Sequence, residues 1–348
     1  MMKKKWFILL WALSAFFCGC SHDSAGTLVP QESSVTITLG TGRPVTRAGE
    51  EEALAEALRD GSAIRLDGSG NPDLYLAIAS ADGTIVSTYN GADTESAERL
   101  SADSGQASIR FTNINSPGTY TVYAVANKSS LWGMNSTLGA ATTVTDLMEL
   151  TFNELTADGA HPTVEDGSAM PLSAVGTLSV SENLSGEASV DLLRCVAKIG
   201  CKFKNETEEE LTLTDVTVTL SGVNPSQGYL FPHATDMMGG RYLSLSASKF
   251  EIPAGESTEL YGLQTVFPSE APFRDVGRRY LCTISFTVGD DTKTFTDLPI
   301  HDKQQQDIVS LKRNQYLQIE TRINKGTDIS FNFEVEDWSR HTEEIFFH

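Results

Sequence analysis

The chain has 348 residues, enough for two domains of ordinary size, and 40% of them are hydrophobic. It carries 26 Lys and Arg residues against 46 Asp and Glu residues, a net charge of −20. A surface this acidic repels phosphate backbones, which argues against nucleic acid as a partner, and it favours solubility outside the cell.

The first 20 residues have the pattern of an export signal that ends in a lipid attachment site. Three lysines precede an apolar run from Trp6 to Phe17, which is shorter than the roughly 20 residues that a membrane span needs. The run ends in Phe17-Cys18-Gly19-Cys20, which resembles a lipobox. We predict a signal peptide at 1–19 and a lipid on Cys20, which would anchor an outer membrane lipoprotein; plain secretion with cleavage near Gly19 is the alternative.

A β-strand is predicted shortly after the signal. Val35, Ile37 and Leu39 alternate with threonines, which is the period of a half-buried strand. Gly40, Gly42 and Pro44 then break the strand and predict an exposed, flexible stretch.

Two arginines in that stretch are candidate protease sites. Arg43 is followed by Pro44, whose tertiary amide makes a poor scissile bond. Arg47 is followed by Ala48 and Gly49, which are small and accessible. We predict cleavage between Arg47 and Ala48, so that residues 20–47 form a lipidated propeptide with a removable strand, Val35, Ile37 and Leu39. An ordinary edge strand followed by a linker is the alternative.

One helix and many short strands are predicted in the rest of the chain. The helix covers 48–60, where Ala53, Leu54, Ala57 and Leu58 repeat at helical spacing before Gly61. Polar residues predict a loop at 92–106. The predicted strands are 73–80, 85–89, 107–114, 119–126, 190–203, 211–220 with one register break, 242–245, 250–252, 259–266, 280–288, 293–298, 316–323 and 329–336.

Turn-rich sequence at His161-Pro162 and Asp166-Gly167-Ser168 predicts a domain boundary. Many short strands with regular turns are typical of β-sandwiches. We therefore expect an N-terminal domain at 48–168 and a C-terminal domain at 169–348. Ile345 and Phe347 alternate at the end of the second domain, which makes them donor-strand candidates.

Three cysteines remain beyond the signal region: Cys195, Cys201 and Cys282. Cys195 and Cys201 lie in one predicted strand, about 20 Å apart at ~3.3 Å per residue, too far for a disulfide between them. At most one disulfide can form, and it would need Cys282. Three buried free thiols are the alternative.

Catalytic and metal-binding patterns are missing from the sequence. The six histidines have no metal-ligand spacing, and no nucleophile elbow, phosphate-binding loop or dinucleotide fingerprint occurs. We expect no enzyme activity, metal or cofactor.

Several stretches together resemble the fimbrillin family, the type V pilins of Gram-negative anaerobes. The stretch at 120–127, YTVYAVAN, is similar to the family's YxVYAxAN strand, and 170–173, MPLS, resembles its PMSG-like domain start. The stretch at 193–199, LRCVAKI, is similar to LxRxVAKI. RNQY at 313–316 and VEDW at 335–338 resemble the family's ending.

The resemblance implies an all-β protein with two transthyretin-like β-sandwiches in tandem. It implies a cell-surface fimbrial subunit, exported as a lipoprotein, cut by an Arg-specific, gingipain-like protease and joined to other fimbrial subunits by donor-strand exchange. Arg47 matches the family's cleavage position. A tip or anchor subunit, or a surface adhesin, that keeps its lipid is the alternative.

Overall fold

The computed structural model describes residues 33–40, 63–91, 97–102, 105–131, 133–153, 169–223, 227–233, 241–258, 261–266, 280–302, 306–308, 310–324 and 328–337. Five features predicted from the sequence lie outside these residues: the signal peptide, Cys20, the Arg47–Ala48 bond, the helix at 48–60, and the tail with Ile345 and Phe347. Within the described residues, no helix is long and apolar enough to cross a membrane.

The first sandwich packs a four-stranded sheet on a five-stranded sheet. Its strands are β1 (Ser34–Gly40), β2 (Leu74–Ala79), β3 (Ile85–Tyr89), β4 (Ala97–Ala102), β5 (Gln106–Phe111), β6 (Gly118–Ala126), β8 (Leu172–Val180), β9 (Ser185–Asp191) and β10 (Leu193–Arg194). The strand orders are β4-β5-β1-β9 and β10-β8-β6-β2-β3. Apolar side chains from both sheets meet in one core, to which β1 contributes Val35, Ile37 and Leu39.

The second sandwich packs two four-stranded sheets. Its strands are β11 (Ala197–Asn205), β12 (Leu211–Val223), β14 (Arg241–Ile252), β15 (Tyr261–Val266), β16 (Leu281–Val288), β17 (Asp291–Pro299), β18 (Gln315–Ile323) and β19 (Ile329–Asp337). The orders are β15-β11-β18-β19 and β14-β12-β16-β17. Aromatic contacts stabilise its core, such as Phe203 against Phe286 edge to face, with ring centroids 5.6 Å apart.

A third apolar cluster joins the two sandwiches. A short helix, α1 (Val144–Met148), and a two-stranded sheet of β7 (Thr151–Asn153) and β13 (Gln227–Tyr229) lie here. Tyr123 of the first sandwich packs edge to face on Phe231, with centroids 5.4 Å apart. Buried Arg194 donates a 2.7 Å hydrogen bond to Asn314 Oδ1. We call this cluster the joint.

The all-β fold with tandem sandwiches is confirmed, but the sheets divide the chain elsewhere than the predicted boundary near 168. The strands β8, β9 and β10 pair within the first sandwich, so that sandwich extends to Arg194. The turn-rich segment that suggested a boundary lies outside the described residues, and in chain order it falls between strands of one sandwich.

The long strand predicted at 190–203 is wrong for a related reason. This stretch is divided among β9, β10, two residues outside any strand, and β11, and its buried apolar side chains lie in three different cores. Val190 packs in the first sandwich, Cys195 and Val196 in the joint, and Ile199 in the second sandwich. A run of apolar residues predicts burial, but it does not indicate that all of these residues are buried in the same core.

The cysteines are likewise divided between the joint and the core of the second sandwich. All three are buried and free, and Cys195 precedes β11, so it does not share a strand with Cys201. Cys201 and Cys282 lie in the core of the second sandwich, on opposite sheets. Burial raises the pKa of the Cys282 thiol to about 12 and raises the pKa of Cys201 well above its usual range, which makes both thiols unreactive.

Other local predictions are confirmed where the sequence pattern is strong and are wrong where it is weak. The hairpin turn at Asp82-Gly83 and the register break in β12 are confirmed; the break falls at Asp215, which has a φ of 51°. The loop predicted at 92–106 is wrong, since β4 covers 97–102. Most of the described side chains of β4 are exposed, so this edge strand carries little alternation to reveal it.

Both sandwiches share one arrangement around their first strand. In the first, β1 lies between β5, which is antiparallel to it, and β9, which is parallel. In the second, β11 lies between β15, which is antiparallel, and β18, which is parallel. The strand β1 is thus the counterpart of β11, although 22 residues separate it from the next described residue, Ala63.

Candidate functional site

The predicted removable strand, β1, is an interior strand of its sheet. It pairs with β5 from Val35 opposite Phe111 to Gly40 opposite Gln106. On its other side it pairs with β9 from Ser34 opposite Ser185 to Gly40 opposite Asp191. The alternative of an ordinary edge strand is therefore wrong.

Each apolar side chain of β1 is fully buried between two neighbours of known register. Val35 lies between Phe111 and Gly186, and its exposed fraction is 0%. Ile37, also at 0%, lies between Ile109 and Ala188.

Leu39 completes the set at 0% exposure, between Ala107 and Val190. Burying three such side chains contributes on the order of 5–9 kcal/mol, at ~1.5–3 kcal/mol each. The strand is therefore a large part of what closes the first sandwich.

Hydrogen bonds fix both ends of β1. At its start, Ser33 Oγ accepts from the Ile114 amide at 2.9 Å, and the Ser34 amide donates to the Leu184 carbonyl at 2.9 Å. At its end, the Gly40 carbonyl accepts from the Leu192 amide at 2.7 Å. Leu192 is two residues before Arg194, whose side chain bonds to Asn314 at the joint, so β1 ends near the joint.

The outer face of β1 is polar. Thr36 lies between Arg110 and Glu187 in the sheet register. Thr38 lies between Ser108 and Ser189, and the hydroxyls of Thr38 and Ser108 are 3.1 Å apart, a hydrogen bond in either direction.

Two glycines let β8 and β9 approach closely beside this site. A Cβ on Gly186 would lie 2.5 Å from the Ser179 carbonyl oxygen, and a Cβ on Gly176 would lie 2.7 Å from Val190 Cγ2. The connection from β8 to β9 therefore crosses from one sheet to the other at a closely packed corner, where β9 also forms one wall of the β1 position.

The last strand of the second sandwich, β19, ends near the joint. Asn314 Nδ2 donates to Asp337 Oδ1 at 3.1 Å, and Asn314 Oδ1 accepts from Arg194. Asp337 is the last residue of β19 and the last described residue, so the C-terminal tail begins beside the joint.

Sequence reasoning identified β1 but missed the strand that flanks it in parallel. The strand β9 has the sequence SGEASVD, in which Val190 is its one large apolar residue. Ser33, Ser108 and the two close-approach glycines were also missed, because their roles depend on contacts with distant parts of the chain. Among the described residues, no group of three or more His, Cys, Asp or Glu side chains could hold a metal ion.

Comparison with known proteins assigns the chain to a family. The family model described as "Fimbrillin-A associated anchor proteins Mfa1 and Mfa2" matches residues 80–344, about three quarters of the chain. The chain belongs to this family. The resemblance to fimbrillins predicted from the sequence is thereby confirmed, although no curated protein matches the chain.

Two solved structures of putative cell adhesion proteins, those with TM-scores above 0.5, support the same fold. A putative cell adhesion protein from Bacteroides eggerthii is 16% identical with a TM-score of 0.56, over 88% of this chain and 96% of that one. Another from Parabacteroides distasonis is 12% identical with a TM-score of 0.55, over 89% and 98%. A fimbrilin from Porphyromonas gingivalis is 13% identical with a TM-score of 0.49, over 88% and 97%.

Proposed function

We propose that this protein is a structural subunit of a cell-surface fimbria, in which β1 is a temporary strand that proteolysis releases. One observation carries the proposal: β1 is an interior strand whose apolar side chains are fully buried, yet its covalent link to the rest of its sandwich runs through the segment at 41–62, which contains Arg47. Its counterpart β11 follows β10 after only two residues.

Export and processing follow from the N-terminal sequence. The precursor carries a lipid on Cys20 and is held at the outer membrane until an Arg-specific, gingipain-like protease cuts between Arg47 and Ala48. The cut frees β1 at its C-terminal end, beside the joint. The cleaved protein is then released, and the lipid anchor stays with the propeptide.

Loss of β1 opens a groove with two unpaired edges, those of β5 and β9. An unpaired sheet edge next to an exposed apolar core favours strand addition. A strand from a neighbouring fimbrial subunit fills the groove, and repetition of this non-closing contact produces a fibre that supports adhesion.

The tail of this chain is the candidate donor toward the next subunit. Ile345 and Phe347 alternate beyond Asp337 and would enter a neighbour's groove. Changing both residues to Asp should leave a folded, processed subunit that cannot extend the fimbria, measured as fimbrial length. Extension at the wild-type level would rule out this tail as donor.

A tip or anchor subunit, or an adhesin, that keeps its lipid and β1 is the second candidate. The description of the matched family names anchor proteins, and β1 fills its position in the uncut chain. An anchor would use Cys20 permanently and would not need cleavage at Arg47.

Substitution of the two arginines tests the proposal. Arg47→Ala should give an uncut, lipidated form that does not assemble, whereas Arg43→Ala, the matched control, should be processed and assembled as the wild type is. The measurement is the size of the surface protein and its recovery in sheared fimbriae. Normal assembly of uncut Arg47→Ala would contradict the proposal.

A further inference from the structure

We infer that the Ser33 side chain is a latch that keeps the cleaved protein on its lipid anchor after the bond between Arg47 and Ala48 is cut. The inference rests on the proposed function, since it concerns the interval between the cut and the loss of β1. It adds a regulatory step to that function. The cut alone does not release the protein, because β1 still holds it, and Ser33 determines how long β1 does so.

The anchor and the cut lie on opposite sides of β1. Residues 21–32 lead from the proposed lipid on Cys20 to Ser33, the first described residue. Arg47 lies beyond Gly40, the last residue of the strand. After the cut no covalent bond joins the protein to its anchor, and the contacts of Ser33 and β1 hold the two together.

The end of β1 nearest the anchor is fixed on both flanks. Ser33 Oγ accepts a hydrogen bond from the Ile114 amide at 2.9 Å and donates a longer one, of 3.5 Å, to the Phe111 carbonyl. On the other flank, the Ser34 amide donates to the Leu184 carbonyl at 2.9 Å. Ser33 thus ties the strand to the segment that follows β5, and Ser34 ties it to the segment that precedes β9.

The end of β1 beside the cut has fewer such bonds among the described residues. Apart from the sheet ladder, the Gly40 carbonyl accepts from the Leu192 amide at 2.7 Å, on the β9 side. The cut also turns the chain beyond Gly40 into a free end, and free ends fray first. Separation of the strand should therefore begin at Gly40 and end at Ser33.

Burial makes the bond between Ser33 and Ile114 important for retention. Ser33 is 3% exposed and Ile114 is 1% exposed, so water has little access to this amide while β1 is in place. A buried amide without an acceptor raises the free energy of the bound state, whereas water can reach the same amide once the strand has left. The Ser33 hydroxyl therefore stabilises the bound strand, and its removal should act mainly on the rate of dissociation.

Release of the protein from beads tests the inference. The chain from Ser21 onward carries a biotin at its N-terminus, which stands in for the lipid, and a specific protease site replaces part of 41–62. The folded protein is bound to beads and nicked, and an excess of a peptide of residues 33–40 is added to block rebinding. The protein in the supernatant is then measured over time. The variant Ser33→Ala is compared with Ser34→Ala, the matched control, whose side chain is exposed.

The released protein is identical in the wild type and both variants, because Ser33 and Ser34 stay on the beads. A change in the release rate therefore reports the contacts of the strand and not the stability of the remaining fold. Ser33→Ala should be released about tenfold faster than the wild type, the factor expected when one buried amide loses its acceptor. Ser34→Ala should be released at the wild-type rate.

The failures are distinguishable. Equal release rates for Ser33→Ala and the wild type, equal acceleration by Ser34→Ala, or immediate release of the wild type on nicking would each overturn the latch. In these cases the strand still leaves, so the proposed function stands. If neither the wild type nor Ser33→Ala leaves the beads, the cut does not free β1, and the proposed function fails together with the inference.

Discussion

At the scale of single residues, a small number of close contacts determine how the first sandwich closes. Gly186 shows this most clearly, since its place in β9 beside β1 leaves no room for a side chain. Glycine is required at this position because a Cβ would lie too close to the Ser179 backbone carbonyl, which cannot move aside as a flexible side chain could. A residue without a side chain thus helps to define the groove.

We expect Gly186→Ala to lower the free energy of unfolding by about 1–3 kcal/mol, the usual cost of forcing extra volume into a packed position. Gly139→Ala is the matched control, because a Cβ there meets no atom within 4 Å. Denaturant unfolding followed by tryptophan fluorescence measures both variants. Equal stability of the two would show that β8 and β9 separate easily.

At the scale of elements, the sequence predicted many of the strands that bury one face, but it missed β8, in which buried and exposed side chains alternate only toward its end. The strand β1 alternates buried and less buried side chains along its whole length, and its burial was predicted residue by residue. The strand β2 was predicted because Leu74, Leu76 and Ile78 fall on one face, and in the structure both of its faces are buried.

The pairing of strands could not be predicted in the same way. The sequence SGEASVD contains no pattern that predicts that β9 runs parallel to β1, which lies about 150 residues earlier. Register and neighbours arise from packing between distant segments, and that information is spread over both partners. This is why the location of β1 in the interior of its sheet, which matters most for the site, came only from the structure.

Ion pairs on β18 make the second sandwich sensitive to acid. Burial works to raise the pKa of Glu320, but hydrogen bonds and charges from Lys202 and Arg322 outweigh it, so the pKa is lowered from its usual value near 4.5. Lys202 Nζ lies 3.1 Å from Glu320 Oε2, and Arg322 Nε pairs with Oε1. A lowered folded-state pKa means stability that is present above the unfolded value and lost as the pH falls through the folded value.

The variant Glu320→Gln should therefore be less stable than the wild type at pH 7. The difference should shrink as the pH falls from about 4.5, where the carboxyl of the unfolded chain begins to bind a proton, through the lowered folded-state pKa of Glu320. Exposed Glu182→Gln is the control and should change little at either pH. Urea midpoints at a series of pH values give the comparison, and a difference between Glu320→Gln and wild type that is constant with pH would contradict the account.

At the scale of the whole molecule, the joint makes the two sandwiches neighbours through an apolar core. Val196 and Cys195 both fall in the single apolar strand that the sequence predicted at 190–203. In the structure both side chains pack in the joint, just before β11 begins. Residue burial was thus predictable, whereas the core to which each residue belongs was not.

Val196→Ala should lower the free energy of unfolding by roughly 1–3 kcal/mol through loss of buried methyl groups. Because Val196 lies in the joint, it should do so without changing binding of a peptide in the β1 groove. Val86→Ala, at a side chain that is 39% exposed, is the control. A change in groove binding with unchanged stability would place Val196 in the site instead.

The central claim is that a cut at Arg47 removes β1 and allows assembly. The most direct measurement is the N-terminal residue of the protein in fimbriae sheared from intact cells, read by terminal sequencing and by mass. We predict an N-terminus at Ala48, with residues 20–47 absent from the fibre. An assembled protein that begins at an acylated Cys20 and retains β1 would contradict the claim and would favour a lipid-bound anchor.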